Sequence, residues 1–165
     1  MSLDLRTDLA AKLKGRTCVI GIGSSEWGDD AFGVDVASSL KETGYPDVIV
    51  AGATPERLVG RIPAGYDHIL LVDAVDFPGE PGSVVFLESS QLRSRYPQVS
   101  THKLSLGALA CALEHETGAK VWCLGARPFS LAPSGGLSEG MKATSEALTE
   151  LLLEVLGNRE LTTDN

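Results

Sequence analysis

No apolar run in the 165-residue chain approaches the roughly 18–20 residues that a bilayer-spanning helix needs. Basic charge is also in short supply. Fourteen Lys and Arg stand against 22 Asp and Glu, a formal net charge of −8, and no basic stripe interrupts the acidic balance. Nucleic-acid binding and polybasic attachment to a membrane are therefore not expected. Cysteine is scarce, with three residues and no C-x-x-C spacing, so Cys18, Cys111 and Cys123 read as small buried hydrophobes in a reducing compartment. The N-terminal residues 1–15 mix both charges and hold no continuous apolar segment, which argues against a secretory signal and for a cytoplasmic protein. The common hydrolase signatures are missing too. There is no H-E-x-x-H, no G-x-S-x-G, no phosphate-binding G-x-x-x-x-G-K-[ST] and no plausible Cys–His pair.

What is present is enough for one folded unit. Hydrophobic residues make up 43% of the chain, mean hydropathy is +0.07, and the length suits a single core. We expect one α/β domain over residues 1–165, its core at about 16–157 and residues 158–165 forming a loose tail. Leu5, Leu9 and Leu13 recur at helical spacing, and Gly15 stops that helix. Residues 17–23, 47–51, 67–75, 82–87 and 119–125 read as five strands. Helices are predicted over 29–43, 55–62, 103–117 and 137–156, and residues 88–99 read as a polar connection. Only six residues, 76–81, separate the third and fourth strands. A parallel return needs about a dozen or more, so the fourth strand must run antiparallel to the third. Strands alternating with helices give a mostly parallel sheet covered on both faces. In such sheets ligands bind beyond the carboxyl ends of the strands.

Three stretches meet that edge. Gly21-Ile-Gly23 begins like a dinucleotide fingerprint, but Glu26 stands where the third glycine belongs. Asp29 and Asp30 then occupy the expected helix start, where their charge would repel a pyrophosphate. Asp29 fits an N-cap role, which leaves Asp30 available. Asp73 directly follows the apolar core of the third strand, where a carboxylate must be hydrogen-bonded, paired or metal-bound. Asp76 beside Pro78 and Gly79 suits a turn. Ser100 or Thr101 can cap the helix that follows, placing His102 in its first turn, where the helix dipole favours the neutral, metal-ligating imidazole. His68 and His115 lie at the wrong strand end and on a charged helix face. Two carboxylates and one imidazole suit a borderline divalent ion such as Ni²⁺ or Zn²⁺, and three donors leave coordination positions open.

The ordered set Gly21-Ile-Gly23-Ser24, Gly28-Asp29-Asp30-Ala31-Phe32-Gly33, Val72-Asp73-Ala74-Val75-Asp76, Pro81-Gly82, Thr101-His102 and Gly125-Ala126-Arg127-Pro128 resembles the hydrogenase maturation proteases. Ser24 stands where that pattern has asparagine, and Ala31 where it has glycine. The resemblance implies a three-layer α/β/α sandwich, phosphorylase/hydrolase-like, with a five-stranded mixed sheet of order 2-1-3-5-4 and strand 4 antiparallel. It implies an endopeptidase that removes the C-terminal extension of an immature [NiFe]-hydrogenase large subunit, with Asp30, Asp73 and His102 binding nickel. On this resemblance the nickel would be supplied by the precursor, with another divalent ion able to take its place in the isolated protein. Asp29 and Asp76 are the candidates for assisting the attacking water. Two other readings share these residues: a hydrolase that holds its own zinc, and a non-enzymatic metal- or nucleotide-binding module.

Overall fold

The computed structural model describes residues 3–95, 105–133 and 135–157. Its centre is a five-stranded sheet in the order β2-β1-β3-β5-β4. The strands are β1 (Thr17–Ile22), β2 (Val48–Gly52), β3 (His68–Ala74), β4 (Val84–Glu88) and β5 (Lys120–Ala126). β1 pairs in parallel with β2 and β3, and β3 in parallel with β5. β4 pairs antiparallel with β5, Val85 facing Gly125. The short 76–81 connection thus sends the chain back as expected, although the returning strand crosses β5's position and pairs beyond it.

Both faces of the sheet are covered. On one face α1 (Leu3–Lys12), α2 (Phe32–Glu42) and α5 (Glu139–Leu152) bury Leu9, Phe32, Val36, Leu40, Met141 and Leu148 against Val19, Leu70, Val72 and Leu124. On the other, α3 (Ser89–Arg95) and α4 (Leu106–Thr117) bury Leu92, Leu106, Leu109 and Leu113 against Ile20, Ile69, Leu71 and Cys123. The inner strands β1 and β3 are buried along almost their whole length, which is why they read as unbroken apolar runs rather than alternating ones.

Three sequence expectations change at this level. The region read as a polar connection contains α3; only Leu92 of its described side chains packs fully into the core among apolar residues, too little to give a periodic signal. α4 starts later than expected, at Leu106, and its cap is Ser105, whose hydroxyl accepts the Ala108 N–H at 3.1 Å. Ser100 and Thr101 are not its caps, so the dipole argument for His102 loses its support. Cys111 is exposed on α4, whereas Cys18 and Cys123 are buried as expected.

The thiols should report this difference. Burial, reinforced by the negative charge of Asp47, pushes the Cys18 thiol up to about 12. Burial and then the charge of Asp73 raise Cys123 as well. Since the thiolate is the reactive form, the native protein at pH 8 should take up one equivalent of a thiol reagent rapidly, at Cys111. Mass spectrometry of the modified peptides checks this, and denaturant should release the other two.

Candidate active site

The carboxyl ends of β1, β2 and β3 lie along one edge of the sheet, and the chain after β1 is pressed tightly onto it. Glycine makes this possible. A Cβ built on Gly33, in the first turn of α2, would sit 2.0 Å from the Val72 carbonyl oxygen and 2.3 Å from that of Ile22. Gly23 (φ +144°) lies equally close to the Asp30 carbonyl, where a Cβ would come within 1.9 Å. Any larger residue at either position would lift the start of α2 away from the strands. Between the two glycines the chain makes a 3₁₀ turn, Gly28–Ala31, which packs against β3.

That turn carries the paired aspartates, and the structure gives them different jobs. Asp30 is partly exposed. Its Oδ2 accepts the Ser24 backbone N–H at 2.9 Å, which folds the loop back over the strand end. Asp73 is 1% exposed at the end of β3, with Oδ1 accepting the Ala74 N–H at 2.8 Å. Its strand neighbours Val72 and Ala74 belong to the α2–α5 side of the core and Leu71 to the α4 side. Alternation therefore turns Asp73 toward the α4 side, in agreement with its electrostatic effect on Cys123. Asp30 and Asp73 thus come from adjacent strand ends to one edge. His102 and Thr101 lie outside the described residues, and among the described residues no three His, Cys, Asp or Glu side chains form a metal-binding group.

Asp29 departs from its expected role. It does not cap α2: the cap position is Ala31, and no side chain bonds there. Asp29 is instead completely buried and points away across the molecule. Its Oδ2 accepts the N–H groups of Phe129 at 2.8 Å and Ser130 at 3.1 Å and the hydroxyl of Ser138 at 2.9 Å. Its Oδ1 accepts the Ser138 N–H at 2.8 Å. The Asp29 N–H in turn donates to the Ser130 carbonyl at 3.0 Å. One carboxylate thereby ties the β1–α2 loop to the β5–α5 loop and to the N-cap of α5, 100 to 109 residues away in the chain. Ser138 is also the N-cap of α5, accepting the Met141 N–H at 3.3 Å. These partners, Phe129, Ser130 and Ser138, left no mark in the sequence except the serine that precedes a helical stretch.

The two departures from the family pattern have local explanations. Asp30 bonds the backbone N–H of residue 24, so serine serves there as well as asparagine, while its hydroxyl accepts the Glu26 N–H at 3.3 Å. Ala31 has φ −73°, an ordinary helical value that needs no glycine. Asp76 is exposed in the loop after β3, and that loop is pinned by Arg127, which donates to the Phe77 carbonyl at 2.8 Å. The two histidines set aside on sequence grounds do not reach the edge. His68, at the start of β3, accepts the Trp122 indole N–H on Nδ1 at 3.1 Å. An indole nitrogen can only donate, so Nε2 carries the proton and donates to the Lys14 carbonyl at 2.8 Å. His115 is exposed on α4.

A three-layer α/β/α fold with one carboxylate at the end of β3 and another on the turn that follows β1 places the chain among α/β proteins whose site lies on the carboxyl edge. The family model for HycI, the hydrogenase maturation protease, matches residues 34–155. The hydrogenase 2 maturation protease of Escherichia coli is 28% identical over 149 residues, covering 86% of this chain and 90% of that protein. The solved [NiFe] hydrogenase maturation protease HycI of Thermococcus kodakarensis superposes with a TM-score of 0.78 at 36% identity, covering 91% of this chain and 99% of the other. The maturating endopeptidase HybD of E. coli gives 0.73 at 27% identity, with 88% and 94% covered. The chain belongs to the hydrogenase maturation protease family and is a peptide-bond hydrolase of that kind. Asp73 and His102 fall within the span of the family model, and the paired aspartates just before it.

Proposed function

We propose that this endopeptidase removes the C-terminal extension of a [NiFe]-hydrogenase large-subunit precursor, and that Asp30, Asp73 and His102 engage the nickel the precursor carries. The observation that supports this most directly is the delivery of Asp30 and Asp73 to one sheet edge by the Gly33 contact with the ends of β1 and β3. A buried aspartate at a strand end and a second, partly exposed carboxylate on the turn that packs against the same strand are the acidic groups this edge offers to an ion that arrives on another polypeptide. Two carboxylates and an imidazole are donors that a borderline divalent ion accepts. The metal is then part of the substrate, and the enzyme needs no resident cofactor.

Docking in this way orients the peptide bond next to the metal site, which removes much of the entropic cost of bringing the reactants together. A divalent ion so placed polarises a carbonyl or lowers the pKa of a bound water. Water adds to the carbonyl carbon, the C–N bond breaks, and the departing amine takes a proton. Asp29 is occupied by four donors, so of the two candidates for assisting water the exposed Asp76 is the one free to approach it. A precursor without nickel lacks the tether and is spared, which makes metal insertion a condition of cleavage. The reaction belongs in the cytoplasm on this reading, in keeping with three cysteines that lack any C-x-x-C or disulfide-like spacing. No described helix is long and apolar enough to cross a membrane.

The test is to incubate the purified protein with nickel-loaded and with nickel-free precursor and to measure the mass of the large subunit. Only the loaded form should be shortened. Equal cleavage of both, or tight stoichiometric zinc in the protein together with activity on small peptides, would replace the docking reading with that of a hydrolase carrying its own metal.

A further inference from the structure

β5 ends at Ala126, but its pairing runs on for one more residue. The Arg127 N–H donates to the Ser83 carbonyl at 2.9 Å, and the Arg127 carbonyl accepts the Gly82 N–H at 2.7 Å. On the other side the Ala126 carbonyl accepts the Val75 N–H at 2.9 Å. Arg127 therefore lies on the carboxyl edge, between the chain leaving β3 and the chain entering β4. Leu124 and Ala126 belong to the α2–α5 side of the core and Cys123 to the α4 side. Alternation turns Arg127 to the α4 side, the side that Asp73 also takes. Asp73 pairs in register with Gly125, so Arg127 stands one strand over and two residues further out. Strand spacing and rise put the two Cα atoms roughly 8 Å apart, within reach of a long side chain.

The guanidinium is held in place. Arg127 is half-buried, and its Nη1 donates to the Phe77 carbonyl at 2.8 Å. Among the described residues it forms no ion pair, although Asp73 and Asp76 stand on the neighbouring segment. A neutral donor would serve the Phe77 carbonyl as well. What a guanidinium adds is a permanent positive charge and a rigid fork of further N–H donors. Two other cations on segments leaving this edge are differently placed. Arg57, on the turn after β2, is exposed, and Lys142, near the start of α5, pairs with Glu139 at 3.7 Å.

Peptide hydrolysis builds negative charge at such an edge. As water adds to the carbonyl carbon, the new C–O bond pushes the carbonyl π pair onto oxygen. Asp30, Asp73 and Asp76 all repel that charge, and a cation already fixed nearby offsets the repulsion. We infer that Arg127 is a catalytic residue of this endopeptidase, donating from its remaining N–H groups to the scissile carbonyl oxygen as it becomes an oxyanion. This rests on the function proposed above, which sets the peptide bond beside Asp73. Asp76, the carboxylate placed to assist water, immediately precedes Phe77. The groups that serve the water and the oxyanion are thus tied to one loop. When the intermediate collapses, the electron pair returns to the carbonyl and the C–N bond breaks. The amine leaves with the proton the water gave up, and Arg127 keeps its own throughout.

Arg127→Gln keeps an N–H for the Phe77 carbonyl and loses the charge. With nickel-loaded precursor it is expected to lower kcat about 10²-fold or more and to leave KM within about threefold. Arg127→Lys keeps the charge and should retain more of the rate. Arg127→Ala should regain activity saturably when ethylguanidinium is added, with no change in melting temperature. A bond that merely held the loop would not give that response. A kcat for Arg127→Gln within about threefold of the unsubstituted enzyme would overturn this inference and leave the protease reading standing. So would a raised KM at constant kcat, or an equal loss in all three variants without rescue. Cleavage of nickel-free precursor too, still about 10²-fold slower in Arg127→Gln, would remove the nickel contact and uphold Arg127. Failure of the unsubstituted enzyme to cleave either precursor would sink both readings.

Discussion

Replacing Asp29 with alanine is expected to lower the free energy of unfolding by about 3–5 kcal/mol. The carboxylate is fully buried and accepts bonds from three backbone N–H groups and one hydroxyl. Removing it leaves those donors unpaired, each at a cost of roughly 1–3 kcal/mol, partly relieved where water enters the space left behind. In a domain of this size a loss of that order lowers the melting temperature by about 10 °C or more. Asp29→Asn should recover little of it. The amide keeps one oxygen acceptor but turns an NH₂ group toward a nest of donors. Urea denaturation monitored by fluorescence measures the effect, and Trp27, two residues away, lies in the affected loop. A change below about 1 kcal/mol for Asp29→Ala would show that the clasp contributes little to the fold.

Asp73→Asn should behave in the opposite way, abolishing processing while sparing the fold. Asparagine is nearly the same shape, and its oxygen can keep the bond from the Ala74 N–H that Asp73 Oδ1 accepts at 2.8 Å. Taking a negative charge out of a site that is 1% exposed removes a desolvation cost, so stability should hold or rise by up to about 1 kcal/mol. On the proposed nickel contact, catalysis should fall at least about 10³-fold, roughly 4 kcal/mol of lost transition-state stabilisation, because a neutral amide would be a poor ligand for a nickel carried by the substrate. Mass analysis of the large subunit after incubation gives the rate, and a thermal melt gives the stability. Retention of processing within tenfold of the unsubstituted enzyme would remove Asp73 from the metal contact. Asp29 and Asp73 therefore separate cleanly: both are buried carboxylates near one edge, but the first should be read in the melt and the second in the rate.

The contrast also shows where residue patterns carry information. Asp73 was legible because it interrupts an apolar strand at its carboxyl end, and such an interruption needs a partner whatever surrounds it. The antiparallel course of β4 was legible because six residues are too few for a parallel return. The β strands and most helices followed from apolar spacing and glycine stops, within a few residues at their ends. α3 escaped because Leu92 is its single described apolar residue buried in the core, and one residue has no period. The start of α4 was misplaced because Ser100, Thr101 and Ser105 are all competent caps, and nothing local chooses among them. Asp29 was given the local explanation for an aspartate before a helix; its actual partners lie 100 and more positions along the chain.

The sequence by itself determined the alternation of strands and helices, the reversal before β4 and the presence of carboxylates after apolar strand cores, because each depends on spacing along a short stretch. Tertiary structure alone decided that Asp29 is a clasp between loops rather than a cap, and which residues it holds. Those outcomes depend on hydrogen bonds and close glycine contacts between segments distant in the chain, and a backbone approach of 2 Å to a missing Cβ has no signature beyond the glycine itself.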